Sequence, residues 1–122
     1  MNFTIAASNL EVLDILNEIK ESGNVISICF RKDKTVYKSF VTAVSPRHAV
    51  LLIDRFQPIV PAKRLKRGAQ VNISTNFNGK QIEFSTRIRE PLVANQQLGY
   101  QLDVPSNIRE TEDLKMVQKV ME

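Results

Sequence analysis

The sequence predicts a mainly-β domain: an N-terminal amphipathic helix, about six antiparallel strands in a small closed or nearly closed barrel, and a short C-terminal helix. Three observations lead there. A capped apolar stripe at helical spacing occupies the stretch from Ser8 to Gly23. From Val25 onward the apolar residues alternate instead of recurring every three or four positions. Turn signals, Asn78-Gly79 foremost, separate the alternating runs at hairpin distances. The 122 residues read as a single domain, with 8–108 as its core and 109–122 as a terminal helix or tail.

Residues 1–7 read as a short, partly disordered apolar lead. Ser8-Asn9-Leu10-Glu11 fits a capping box, in which Ser8 and Glu11 satisfy each other's backbone donors. Leu13, Leu16 and Ile19 follow at helical spacing, widened by Leu10, Val12 and Ile15, and Gly23 is a natural stop. A helix is therefore expected over 9–22. Val25–Phe30 reads as a first strand and Thr35–Val44 as its partner across a polar turn, the second run rich in β-branched and aromatic residues. His48–Asp54 is a third strand, too apolar to be half exposed. Arg55–Gly68 holds Pro58 and Pro61 and is expected to be a long connection. Val71–Phe77 and Lys80–Arg89 form a hairpin about Asn78-Gly79, the second strand ending or kinking at Pro91. Leu98–Val104 is the sixth strand, closed by Pro105. A final helix is expected over 109–121, where Leu114, Val117 and Met121 share a face.

Composition narrows the function classes. Hydrophobic residues are 43% and charged residues 25% of the chain, the balance of a soluble globular domain. No apolar run reaches the ~20 residues of a membrane helix, and the first residues lack the basic start of a signal peptide. A single cysteine, Cys29, makes no internal disulfide and fits a reducing, cytoplasmic setting. The net charge is +4, and four of the 17 basic residues, Lys63, Arg64, Lys66 and Arg67, lie within one five-residue stretch. Without them the charges balance, so the basic pI reflects one local patch.

Reactive constellations are scarce. His48 is the one histidine and opens an apolar strand, where a structural role is the simpler reading. One His and one Cys cannot supply a three- or four-ligand zinc site, and a Cys29–His48 nucleophilic pair needs their two strands to meet. The four glycines build no phosphate-cradling motif. No enzyme activity, metal or cofactor is expected. The patch Lys63-Arg64-Leu65-Lys66-Arg67 reads structurally as a solvated turn with Leu65 tucked into the core. Functionally, it reads as a contact for phosphates or an acidic partner. Tyr37, Phe40, Phe56, Phe77 and Tyr100 are candidates to stack on bases, though most fall where a core needs them.

The order of elements, with the Gly79-x-x-Ile82-x-Phe84 hairpin and the Tyr100-x-Leu102-x-Val104-Pro105 close, resembles the N-terminal domain of YcgR-type flagellar brake proteins, which precedes a PilZ domain. The resemblance covers about residues 8 to 108. It implies a split β-barrel without catalysis. In that family an RxxxR linker at the domain junction and a D/NxSxxG motif in the PilZ part clamp cyclic di-GMP, because arginine forks grip guanine edges and phosphates bidentately. This chain departs there. Arg109 is followed by Glu110, Glu112 and Asp113, no two arginines stand four apart, and Asn72-x-Ser74 has Phe77 where the motif needs glycine. Two readings follow, a domain cut from a larger protein or a stand-alone relative that lost the PilZ domain, the second favoured by the acidic segment and the expected terminal helix; in neither is the chain a family-type nucleotide binder.

The expected function is a non-catalytic protein-interaction module linked to cyclic di-GMP signalling or motility control. Its partner would be a PilZ protein or a motility or secretion component, contacted through Lys63, Arg64, Lys66 and Arg67 and through Leu114, Val117 and Met121. A small basic nucleic-acid-binding barrel is the alternative. Flavin binding, known from other split barrels, would rest on fold analogy alone.

Overall fold

In the computed structural model, residues 3–31, 33–94 and 97–112 are described. In chain order the elements are β1 (Phe3–Ala6), α1 (Asn9–Ser22), β2 (Ile26–Phe30), β3 (Tyr37–Ser39), β4 (Val41–Ser45), β5 (Val50–Ile53), a 3-10 turn (Ala62–Arg64), β6 (Gln70–Phe77), β7 (Lys80–Ala94), β8 (Gln97–Asp103) and β9 (Ile108–Glu112).

The helix forms where its cap and apolar spacing put it. Ser8 is extended and its side chain accepts the Glu11 N–H at 3.2 Å; Gly23, at φ 69°, closes the far end by donating to the Lys20 carbonyl. Val12, Leu16 and Ile19 are buried, and α1 packs on β4. The stripe is narrower than the sequence suggests, since Leu10 stays 76% exposed in the first turn.

Strand alternation sets the sheet faces. In β2, β3 and β6 every second residue points inward, so Ile26, Ile28, Phe30, Tyr37, Ser39, Val71, Ile73 and Thr75 are buried. The strands run in the order β3-β2-β6-β7-β8-β5-β4, all antiparallel, and β9 joins β7 with β1 outside it. β7 connects the two halves. Its first part pairs with β6 and, over Lys80–Glu83, with β9; past a register shift between Ile88 and Glu90 it pairs with β8. Such a shift bends a strand and raises its twist. Asn78 and Gly79, both at positive φ, make the β6–β7 turn as their types require. The core lies between the halves and α1, and at one end Phe56 meets Phe30, Tyr37 and Tyr100 at ring-centre distances of 5.9, 6.0 and 4.6 Å.

Several expectations need correction. Among the described residues there are nine strands, not about six, and the sheet does not close, so the barrel and split-barrel readings give way to an open antiparallel sheet. Part of the lead, Phe3–Ala6, is a strand, held by β9 in the register Phe3↔Thr111 to Ala6↔Ile108. The single run Thr35–Val44 divides at Phe40. Ser39 turns its hydroxyl to the Asp54 carbonyl and Asp54 N–H donates to the Phe40 carbonyl, so the chain leaves β2 and takes β5 as partner. His48 does not open a strand; it sits exposed in the turn before β5. β7 continues through Pro91, because beyond Ile88 it has no β6 partner and a residue without an N–H is tolerated there. The final helix does not begin at 109: Ile108–Glu112 is strand, its Ile108 buried and its backbone paired on both sides. Leu114, Val117 and Met121 lie outside the described residues.

Candidate interaction site

The segment from Asp54 to Ala69 crosses one end of the sheet, tied down at both ends of its course. Lys38 and Gln57 exchange backbone hydrogen bonds at 2.8 and 2.9 Å, Phe56 and Val60 are buried, and Gly68 N–H donates to the Ile88 carbonyl at 2.7 Å. Between these ties stands the basic cluster. Lys63 and Arg64 lie in the 3-10 turn, which Arg64 N–H closes on the Pro61 carbonyl at 2.9 Å. Leu65 packs against the core, while Lys66 and Arg67 are exposed, as is Lys63.

Arg64 is set apart from the other three cations. It is half-buried, and its Nε lies 3.8 Å from Asp33 Oδ2. That carboxylate also accepts the Thr35 N–H and the Tyr37 hydroxyl, both at 3.0 Å. The Thr35 amide, then the Tyr37 hydroxyl and the Arg64 charge, hold the Asp33 carboxyl below its ordinary range against the opposing pull of desolvation. Tyr37 moves the other way, pushed up first by burial and then by its bond to Asp33. Arg64 thus braces the loop before β3 against the basic turn. A depressed folded pKa contributes stability that is present above the unfolded value and is lost as the pH falls through the folded one. Asp33→Ala should therefore lower the urea midpoint at neutral pH, with the gap to the parent chain narrowing as the pH falls toward about 3. A gap that stays constant on acidification would show that the ionised carboxylate contributes nothing.

The fold enlarges the patch with two residues the sequence did not single out. Gln70 opposes Arg87 across β6 and β7, and on its other side the Arg31 N–H reaches the Gln70 carbonyl. Arg31 Nη1 also donates to Gln70 Oε1 at 3.3 Å. Arg31 and Arg87, both exposed, so flank Gln70, three residues beyond Arg67. The only signal that could have found them is strand register, which a local reading does not contain.

One row further along this outer face lies a polar concavity of about 510 Å³, lined by Cys29, Asn72, Ser74 and Ser85 with Glu83 and Arg109 among its other walls. Ser85 Oγ donates to Asn72 Oδ1 at 2.6 Å. Cys29 is half-buried there, on β2, whereas His48 is in the β4–β5 turn of the other half, so the fold does not assemble a Cys–His pair. The His48 carbonyl accepts from Arg89 Nη1, whose Nε pairs with Asp103 at 2.8 Å. Among the described residues no three His, Cys, Asp or Glu side chains are grouped to hold a metal, and no helix is long and apolar enough to cross a membrane. Of the stacking candidates, Tyr37, Phe56 and Tyr100 are buried, Phe77 is half-buried and Phe40 is 43% exposed.

Comparison with known proteins agrees with this architecture. The N-terminal domain of Escherichia coli YcgR superposes with a TM-score of 0.72 at 17% identity, covering 88% of this chain and 94% of that one. E. coli YcgR in complex with c-di-GMP gives 0.73 at 17% identity, over 88% of this chain and 46% of that one. The K. pneumonia MrkH–c-di-GMP complex gives 0.73 at 18% identity, over 91% and 45%. MrkH is elsewhere described as a c-di-GMP-dependent transcription regulatory factor. This chain thus spans less than half the length of the two nucleotide-bound relatives. No curated protein matches it in sequence. The model of the PilZN domain of the flagellar regulator YcgR matches residues 5–110, nearly the whole of the described chain, and the chain belongs to that family.

Proposed function

We propose that the chain is a non-catalytic, cytoplasmic protein-docking module of c-di-GMP-linked regulation or motility control. In this reading its partner is a PilZ protein or a motility or secretion component. The observation that carries the proposal is the family membership over residues 5–110, joined to a basic turn in which, among the described residues, Arg64 is the one cation paired with a carboxylate. The match covers less than half of either relative solved with c-di-GMP, and this chain has no two arginines four apart to form the family's linker clamp. The docking contacts are assigned to the basic turn and, beyond the described residues, to Leu114, Val117 and Met121.

The test is affinity capture from the native cytoplasm with and without nuclease. A nuclease-resistant protein should co-purify. Charge reversal at Lys63, Lys66 and Arg67, with Arg64 kept because it braces Asp33, should lower its yield about ten-fold. Retention of the partner by that variant would remove the assigned surface. Tight c-di-GMP binding by the chain, read by titration calorimetry, would remove the claim that it is not itself the sensor.

A second reading, a small nucleic-acid-binding module, draws on the placement of Arg31 and Arg87 beside the basic turn and on the regulatory description of MrkH. It requires capture that disappears with nuclease. It also requires affinity that falls with salt at a log–log slope of about −3 to −4 for four phosphates contacted.

A further inference from the structure

Of the six large hydrophobic side chains exposed among the described residues, four lie on the adjoining segments around β2, β3 and Gln57. They are Val25, Val36, Phe40 and Ile59, at 48, 47, 43 and 90% exposure. The pairing explains why. Ser27 opposes Lys38 on the outer face of β2 and β3, and Lys38 in turn bridges Gln57 in antiparallel sense. One row to one side, continuing the same alternation, come Val25, Phe40 and Arg55, residues that line a single groove of about 500 Å³ with Lys38 and Gln57. Val36 and Ile59, each two residues from the bridged Lys38 and Gln57, are exposed on the same two segments. The β3 edge therefore presents one apolar pair beside a central lysine, with two further exposed apolar side chains on the segments that flank it. A sheet face in contact with water ordinarily alternates polar residues outward, and the neighbouring rows of β6 and β7 do so with Asn72, Ser74 and Ser85.

The charges around this face have one dominant sign. Lys38 holds its centre, with its ammonium directed at Ser27 Oγ at 2.7 Å and not at a carboxylate. Arg55 borders the apolar pair, and Lys34 and Lys63 are exposed on the segments that carry Val36 and Ile59. Asp54, the one carboxylate lining the groove, accepts its own neighbour's N–H from Arg55 at 2.8 Å. Asp33 is engaged by Thr35, Tyr37 and Arg64. We infer that this face docks an acidic segment of a protein partner, one whose carboxylates flank two or more large apolar side chains. The exposed apolar side chains supply the desolvated centre of such a contact and the cations its rim and its selectivity. A nucleic acid is less well matched, because Val25, Val36 and Ile59 offer bases no π-face. The inference rests on the docking-module reading and names that module's contact surface and its partner's chemistry.

A dodecapeptide display library selected on the full chain tests it. The enriched peptides should carry carboxylates around paired apolar residues. Ile59→Asp should weaken a synthesised winner roughly ten-fold by fluorescence anisotropy, and Leu10→Asp, exposed on the helix, should leave it unchanged. Both variants replace solvent-exposed side chains, and circular dichroism confirms their folding. No enrichment, enrichment without carboxylates, or equal binding by Ile59→Asp overturns the inference. So does binding of a single-stranded DNA 20-mer that Ile59→Asp weakens equally. The two readings fail differently. If Ile59→Asp still captures the nuclease-resistant cellular partner, this face is wrong and the docking module stands. If the parent chain captures no such partner, the docking module itself is wrong.

Discussion

Replacing Phe56 by alanine should lower the unfolding free energy by about 3–5 kcal/mol, a large part of the 5–15 kcal/mol that holds an ordinary domain together. Phe56 lies in a connection with no regular strand, yet it is 4% exposed and shares ring contacts with Phe30, Tyr37 and Tyr100. Its removal empties the meeting point of β2, β3, β8 and the basic segment. The cavity cannot collapse easily, because its other walls are strands held in register. Urea unfolding of Phe56→Ala measures the loss. Ile59→Ala, three residues along and 90% exposed, is the internal control and should change stability by no more than about 0.5 kcal/mol. A Phe56→Ala cost below about 1 kcal/mol would mean that the connection floats over the core instead of forming part of it. The consequence reaches function, since Phe56 and Val60 hold the segment that presents Ile59 and the basic turn.

Leu16→Ala should cost about 2–5 kcal/mol. Leu16 is fully buried at the middle of the α1 stripe, between Val12 and Ile19, where the helix covers the sheet against β4. A helix of 14 residues is marginal alone, so its docking depends on this apolar face. Leu10→Ala in the same helix should be nearly neutral, because alanine is the better helix former and Leu10 is 76% exposed. Equal effects at positions 10 and 16 would show that both act through helix propensity, not through packing. Thermal unfolding of the two variants beside the parent chain makes the comparison.

The contrast between Leu10 and Leu16 marks where local reading stops. Both fit the helical period, and only the position of β4 decides which one is buried. The same holds in the strands. The alternation of Val25–Phe30 and Val71–Phe77 identifies them as strands because period two is a property of the backbone. The run Thr35–Val44 alternates without interruption, and nothing within it announces that Phe40 is where β2 is exchanged for β5. The candidate site was legible in one part and hidden in another. The basic turn is contiguous and visible as charge, including the tucked Leu65. The engagement of Arg64 by Asp33, and the arrival of Arg31 and Arg87 beside the turn, depend on partners far away in the chain.

What the sequence by itself determined is everything that short-range chemistry decides: the Ser8 cap, the Gly23 stop, the Asn78-Gly79 turn, the strand periods and, through their order, the family. Which strands meet is settled only by the folded chain. Phe3–Ala6 carries too little pattern to be read as a strand, and becomes one because Ile108–Thr111, a hundred residues later in the chain, supplies its hydrogen bonds. Val25, Phe40 and Arg55 are unremarkable singly and become one groove because β2, β3 and the Gln57 bridge lie side by side. Backbone pairing is indifferent to sequence separation, whereas propensity and capping act within a few residues. The mainly-β, antiparallel character was therefore readable from the chain, and the openness of the sheet and the composition of its faces were not.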